Sequence, residues 1–162
     1  MASVAIVLIA GCAIGTGAGG QKHAYISNWH GRLSVRVEAD LQHPPSQNQS
    51  FASAFELQGN AQQGDLLLLT PLGSTAASVH WTPTMAILQA SGERREFQDL
   101  SQLIEHLLGT PVPVAALFAW LNGQQVNLDG WEVDLTRRSQ GKITARRQLP
   151  APIAELRLVL EE

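Results

Sequence analysis

Cysteine occurs once in these 162 residues, tyrosine once and methionine twice. No apolar run approaches the roughly 20 residues that a membrane-spanning helix requires. The single Cys12 excludes an intramolecular disulfide framework, so the cysteine count says nothing about an oxidising compartment. Positive charge is also scarce. Against 14 Asp and Glu stand 11 Lys and Arg, a formal net charge of −3, and the strongly basic footprint of a nucleic-acid binder is missing.

Catalytic signatures are equally thin. No serine sits in the G-x-S-x-G elbow of an acyl-transfer nucleophile. Ser74, His80 and Asp65 are near enough in sequence to be nominated as nucleophile, base and orienter, but a serine following a turn glycine ordinarily serves local hydrogen bonding. His23, His30, His43, His80 and His106 fall at no metal-ligand spacing. Gly141-Lys142 is followed by Ile143 and lacks the preceding glycine of a phosphate loop. The expectation is a protein that is not an enzyme, holds no metal or cofactor, and works without ATP.

The N-terminus carries the first positive signal. Val4 to Ala10 is apolar, too short to cross a bilayer and the size of a signal-peptide core. Leu8-Ile9-Ala10-Gly11-Cys12 has the form of a bacterial lipoprotein signal, which would make Cys12 the lipidation site and residues 1–11 the removed peptide. Met1-Ala2-Ser3 lacks the basic residues that usually open such a signal. The competing reading is an N-terminal strand that buries Cys12. Ala13 to Gly20 has the composition of a flexible tether, so residues 12–28 read as a lipid-anchored tether and 29–162 as one folded domain. About 150 residues would remain after cleavage, enough to bury roughly two thirds of their surface.

From Trp29 the sequence alternates, with Gly31, Leu33, Val35 and Val37 opposed to His30, Arg32, Ser34, Arg36 and Glu38, as in a half-buried strand. After the polar segment His43 to Ser50, a second strand sets Phe51, Ser53, Phe55 and Leu57 against Ala52, Ala54 and Glu56. Gly59 to Gly64 is a turn, and Asp65 to Thr70 is a strand apolar on both faces, paired with Ala77 to Trp81. Met85 to Ala90 adds another strand.

Phe97, Leu100, Leu103, Ile104, Leu107 and Leu108 then recur at helical spacing, with Asp99 as cap, Gln102 three residues on and Gly109 as stop. Pro111-Val112-Pro113 separates this helix from a shorter one bearing Leu117, Trp120 and Leu121 on one face. Trp131 to Leu135, Lys142 to Gln148 and Ala154 to Leu160 complete the strands. The order predicts an α+β, mostly β fold: an antiparallel meander curved around one apolar face, with two helices as a lid.

Two questions stay open on residue pattern alone. Trp29, Trp81, Trp120 and Trp131, with Phe51, Phe55, Phe97 and Phe118, suit either a cavity wall or a filled core. Leu72, between Pro71 and Gly73 in a turn of type I pattern, either projects outward or folds back.

Several of these segments resemble the family of the outer-membrane lipoprotein receptor LolB. Thr70-Pro71-Leu72-Gly73-Ser74-Thr75 is similar to the family's N-P-L-G-S-T segment, with Thr70 in place of Asn. Val112-Pro113 through Trp120-Leu121-Asn122-Gly123 resembles its P-V-P helix and W-x-x-G stretch, and Gly31-Arg32-Leu33 its opening strand. The chain departs from the pattern in the Pro44 to Ser50 segment, in its uncharged start, and in a short region after Gly141 that could cost a strand or leave the barrel edge less covered.

The resemblance implies an unclosed antiparallel barrel with helices covering its mouth and a cavity for acyl chains. Its wall would draw on Leu33, Val35, Phe55, Leu57, Leu67, Leu69, Trp81, Trp120 and Leu121. It further implies a membrane-insertion loop at Pro71, Leu72 and Gly73, with Leu72 turned outward. The implied partners are the periplasmic carrier LolA, lipoprotein clients and the inner leaflet of the outer membrane, met by a monomer. Ala13 rather than Asp after the cysteine agrees with outer-membrane residence in a Gram-negative envelope. The alternatives are a generic lipid-binding lipoprotein and a structural envelope lipoprotein without transfer activity.

Overall fold

A computed structural model describes residues 27–39, 49–108 and 111–161. Cys12, the signal-like run and residues 13–26 of the tether therefore lie outside the described residues, as do the greater part of the segment between the first two strands and Gly109; Ser27 and Asn28, expected at the end of the tether, instead open the first strand, paired with Gly59 and Gln58.

Among the described residues nine strands form one sheet in which every pair is antiparallel. In chain order they are β1 (Ser27–Val37), β2 (Gln49–Gly59), β3 (Gly64–Leu69), β4 (Thr75–Thr82), β5 (Met85–Ala90), β6 (Glu93–Phe97), β7 (Trp131–Asp134), β8 (Lys142–Arg147) and β9 (Ala154–Glu161). Helices α1 (Leu100–Leu108) and α2 (Val114–Leu121) fall between β6 and β7. The spatial order is β6-β5-β4-β3-β2-β1-β9-β8-β7, two meanders joined where β1 pairs with β9. Among the described residues β6 and β7 are the two unpaired edges, so the barrel is unclosed, and the helical segment is the stretch of chain that crosses from one edge to the other.

The joint between the meanders depends on Gly31. A Cβ there would stand 2.0 Å from the Val159 carbonyl oxygen, and its φ of +150° suits glycine alone. The region after Gly141 supplies both β8 and β9, so its shortness costs no strand.

Charge explains one element absent from the sequence pattern. β6 reads Glu-Arg-Arg-Glu-Phe, has no apolar alternation, and carries the exposed pairs Arg94–Glu96 (2.7 Å) and Arg95–Glu93 (3.1 Å). Charges along an edge strand deter pairing with another chain, which is what an unclosed barrel needs. Phe97 accordingly ends β6 instead of opening the helix, and α1 starts at Leu100 with the Gln102 amide donating to the Asp99 carboxylate at 2.8 Å.

Candidate functional site

The concave face of the sheet and the two helices enclose an apolar cavity of about 340 Å³. That size lies at the lower end of the range usual for small-ligand sites, about 300–1,000 Å³. Alternation sends one residue in two inward from each strand. β1 contributes Leu33 and Val35; β2 contributes Phe51, Phe55 and Leu57; β4 contributes Val79 and Trp81; and β9 contributes Leu156 and Leu158. Helix α1 adds Leu103, Ile104 and Leu107, and α2 adds Leu117, Phe118 and Leu121. Glu155, at the rim, is the one charged residue in the lining among the described residues.

From β3 the lining residues are Leu66 and Leu68, which corrects the expectation of Leu67 and Leu69. Leu66 pairs with Leu57 and Val79, and Leu68 with Phe55 and Ala77, all inward positions. Leu67 and Leu69 occupy the other face, where Leu67 stands between Glu56 and Ser78. With leucine at four successive positions, period-2 patterning gives no parity. The pairing partners decide it.

The aromatic residues divide between wall and packing. Trp81, Trp131, Phe51, Phe55 and Phe118 line the cavity. Trp120 is fully buried but stands outside the lining, against Trp131 (ring centroids 5.9 Å apart) with its indole N–H directed at the Val126 carbonyl. Its expected place in the wall is thus corrected to a supporting one. Trp29 packs on Phe118, which also meets Trp81, and the Trp81 indole donates to the Asn60 carbonyl at 3.0 Å. Gly64 makes room for that ring, since a Cβ there would lie 2.5 Å from it. This cluster seals one end of the barrel.

Among the described residues the other end is open. Phe51 and Leu107 line the cavity yet remain 43% and 42% exposed. Phe51 protrudes because β2 continues past Ala54, the partner of Leu69, where β3 ends. At that point the chain turns. The Gly73 amide donates to the Thr70 carbonyl (2.9 Å), the Thr70 amide to the Ser74 carbonyl (2.8 Å), and the Ser74 amide to the Thr70 hydroxyl (3.2 Å). Gly73 has φ +82° and no neighbour within 4 Å of a virtual Cβ, as a glycine closing a protruding hairpin should. Leu72 is 94% exposed at its tip, and no charged residue occurs from Leu66 to Val79.

Arg147 braces this end from inside. It is buried at 4% exposure and reaches the Pro111 carbonyl between the helices (3.4 Å) and the Pro152 carbonyl before β9 (3.3 Å). Burial lowers its pKa, partly offset by the charge of Glu105. Sequence inspection passed over this residue, although an arginine in the inward register of Ile143 and Ala145 is the available signal.

The nominated catalytic residues do not converge. His80 and Asp65 pair across β3 and β4 at 2.7 Å, both exposed, whereas Ser74 lies beyond the other end of β4, roughly 20 Å away at the rise of a strand. Among the described residues no cluster of three or more His, Cys, Asp or Glu side chains could hold a metal ion. No helix among them is long and apolar enough to cross a membrane.

The family model described as "Outer membrane lipoprotein LolB" matches residues 28–160, from the first strand to the last. The chain belongs to the LolB family. It is 34% identical over 156 residues to the outer-membrane lipoprotein LolB of Bordetella pertussis, covering 82% of this chain and 76% of that one. With the protein of the same name from Dechloromonas aromatica it shares 30% over 150 residues (81% and 77%), and with that of Shewanella loihica 29% over 130 residues (76% and 56%). In this LolB-family chain the matched span contains both the cavity and the Leu72 hairpin.

Proposed function

We propose that this protein is a non-enzymatic receptor anchored in the outer membrane through Cys12 and facing the periplasm. It accepts lipoproteins from the carrier LolA, shelters their acyl chains in the cavity, and delivers them to the inner leaflet. The observation that carries this reading is the juxtaposition of an apolar cavity with a hydrogen-bonded hairpin that displays Leu72 at the open end. Membership of the family supports it.

Acyl chains need such a route. At about 0.8 kcal/mol per CH₂, a single 16-carbon chain left in water costs on the order of 12 kcal/mol. A client therefore passes from one apolar site to the next without becoming free, and no phosphate-binding loop is required if each site holds the chains more favourably than the one before. The inward residues Leu33, Val35, Phe55, Leu57, Leu66, Leu68, Trp81 and Leu121 form the holding surface. Pro71, Leu72 and Gly73 form the element that meets the bilayer.

The test is a transfer assay in which LolA loaded with a radiolabelled lipoprotein is mixed with the full chain and liposomes. Client should move from carrier to liposome in the presence of wild type and stall on the receptor with Leu72→Glu. Transfer by Leu72→Glu at the wild-type rate would remove the hairpin from the mechanism. Displacement of an apolar fluorophore by fatty acid but never by loaded carrier would make the protein a generic lipid binder, and no fluorophore binding would make it a structural envelope lipoprotein.

A further inference from the structure

We propose that Leu149, in the connection between β8 and β9, is a second point of contact with the lipid surface, so that the protein meets a bilayer through two apolar tips beside the cavity mouth. The inference rests on the membrane role of the Leu72 hairpin and extends it to a segment of the chain remote in sequence.

A single exposed leucine is ordinary. Leu149 differs in three respects. It is 70% exposed, second only to Leu72 among the exposed large hydrophobic side chains of the described residues. It lies in Gln148-Leu149-Pro150-Ala151-Pro152-Ile153-Ala154, a stretch with no charged residue between Arg147 and Glu155. Its backbone is also fixed. The Gln148 amide donates to the Gly130 carbonyl at 2.9 Å, the Leu149 carbonyl occupies the position a Cβ on Gly130 would take, and buried Arg147 holds Pro152. The segment is pinned on both sides while its largest apolar side chain points into solvent.

Topology puts this tip at the same end of the barrel as Leu72. Val37 pairs with Gln49 on one side and Ala154 on the other, and Ala154 pairs with Arg147, so the β8–β9 connection leaves the sheet level with the open end of β1 and β2. The β3–β4 hairpin leaves lower in register, at Leu69 opposite Ala54 and hence Arg32. The opposite ends shift in the same sense: Ser27 is level with Gly59 and Gly64, whereas Glu161 stops opposite His30 and Lys142 opposite Val159. A stagger shared by both ends is what tilted strands in a curved sheet produce. Between β3 and β8 lie the steps β3-β2-β1-β9-β8, which at about 4.8 Å each set the tips on the order of 20 Å apart around the sheet.

The spacing favours lipid over protein as the occupant. Two isolated uncharged tips bury little area against another protein, where a specific contact needs about 800 Å² per partner. A bilayer surface deforms around each separately. One tip leaves rotation about itself free. Two tips, flanking a mouth marked by Phe51 and Leu107, orient that mouth toward the membrane.

The experiment uses the full chain with Cys12→Ser, so that no acyl anchor contributes, and a polarity-sensitive fluorophore on a single cysteine introduced by Leu72→Cys, Leu149→Cys or, at the opposite end of β4, Thr84→Cys. On addition of phosphatidylethanolamine/phosphatidylglycerol vesicles, the probes at 72 and 149 should shift to the blue and that at 84 should not. Leu149→Asp should weaken vesicle partitioning reported by the probe at 72 about tenfold, equivalent to about 1.4 kcal/mol. A shift at 72 with none at 149 overturns the second contact and leaves the hairpin assignment standing. Silence at both positions overturns the membrane reading itself. A response at 149 to LolA but not to vesicles would make Leu149 a protein contact and also overturn the proposal.

Discussion

The two ends of the barrel use the same kinds of residue for opposite purposes. At the sealed end Trp81, Trp29 and Phe118 interlock, the Trp81 indole N–H is satisfied by Asn60, and Gly64 gives the ring its space. At the open end Phe51, Leu107, Leu72 and Leu149 remain accessible to water. The difference teaches that apolar area packed at the sealed end stabilises the fold, whereas apolar area at the open end stays exposed and, under the proposed function, is available to another apolar phase. Backbone hydrogen bonds around Thr70 and the brace from Arg147 keep it displayed.

That contrast can be broken most forcefully at the sealed end. Trp81→Ala should cost about 3–5 kcal/mol, read from the denaturant midpoint at unchanged slope. Arg147→Ala should cost less, about 1–3 kcal/mol, by leaving the carbonyls of Pro111 and Pro152 without their donor. It should also raise hydrogen exchange around the helix linker. Ala77→Phe, directed into the cavity, should change stability by about 1 kcal/mol or less because it meets space instead of packed atoms, while abolishing binding of an apolar fluorophore. Leu72→Glu should leave the denaturant midpoint within about 0.5 kcal/mol of wild type and yet block delivery to liposomes.

The smallest effect lies outside both ends, at Asp134. The Thr136 hydroxyl (2.6 Å) and then the Thr136 amide (2.9 Å) hold its carboxyl below the usual carboxylate range. A carboxyl depressed in the folded state contributes stability that is present above its unfolded pKa and is lost as pH falls through its folded pKa. The stability difference between wild type and Asp134→Asn should therefore be present near neutrality and vanish in acid, as measured by denaturation across pH.

Much of this was legible in the sequence where a periodic pattern met a definite environment. Alternation in β1 and β2 named Leu33, Val35, Phe55 and Leu57 for the inner face, and the spacing from Leu100 to Leu107 named a helix with Asp99 as its cap. Reading failed where pattern was missing. β6 is charged from Glu93 to Glu96, as suits an edge, and β3 is leucine from Leu66 to Leu69, so neither carries a period-2 signal. Trp120 and Trp81 look alike in sequence and differ only in which neighbours surround them.

The sequence by itself determined the antiparallel meander interrupted by two helices, the turn at Pro71-Leu72-Gly73, and the family, because periodicity, turn chemistry and short motifs are local properties of the chain. Only the tertiary structure decided that Leu66 and Leu68 face the cavity, that Arg147 ties the helix linker to β9, and that Leu72 and Leu149 share one end of the barrel. These depend on strand register and on the pairing of β1 with β9, contacts between residues far apart in sequence whose geometry no local pattern encodes.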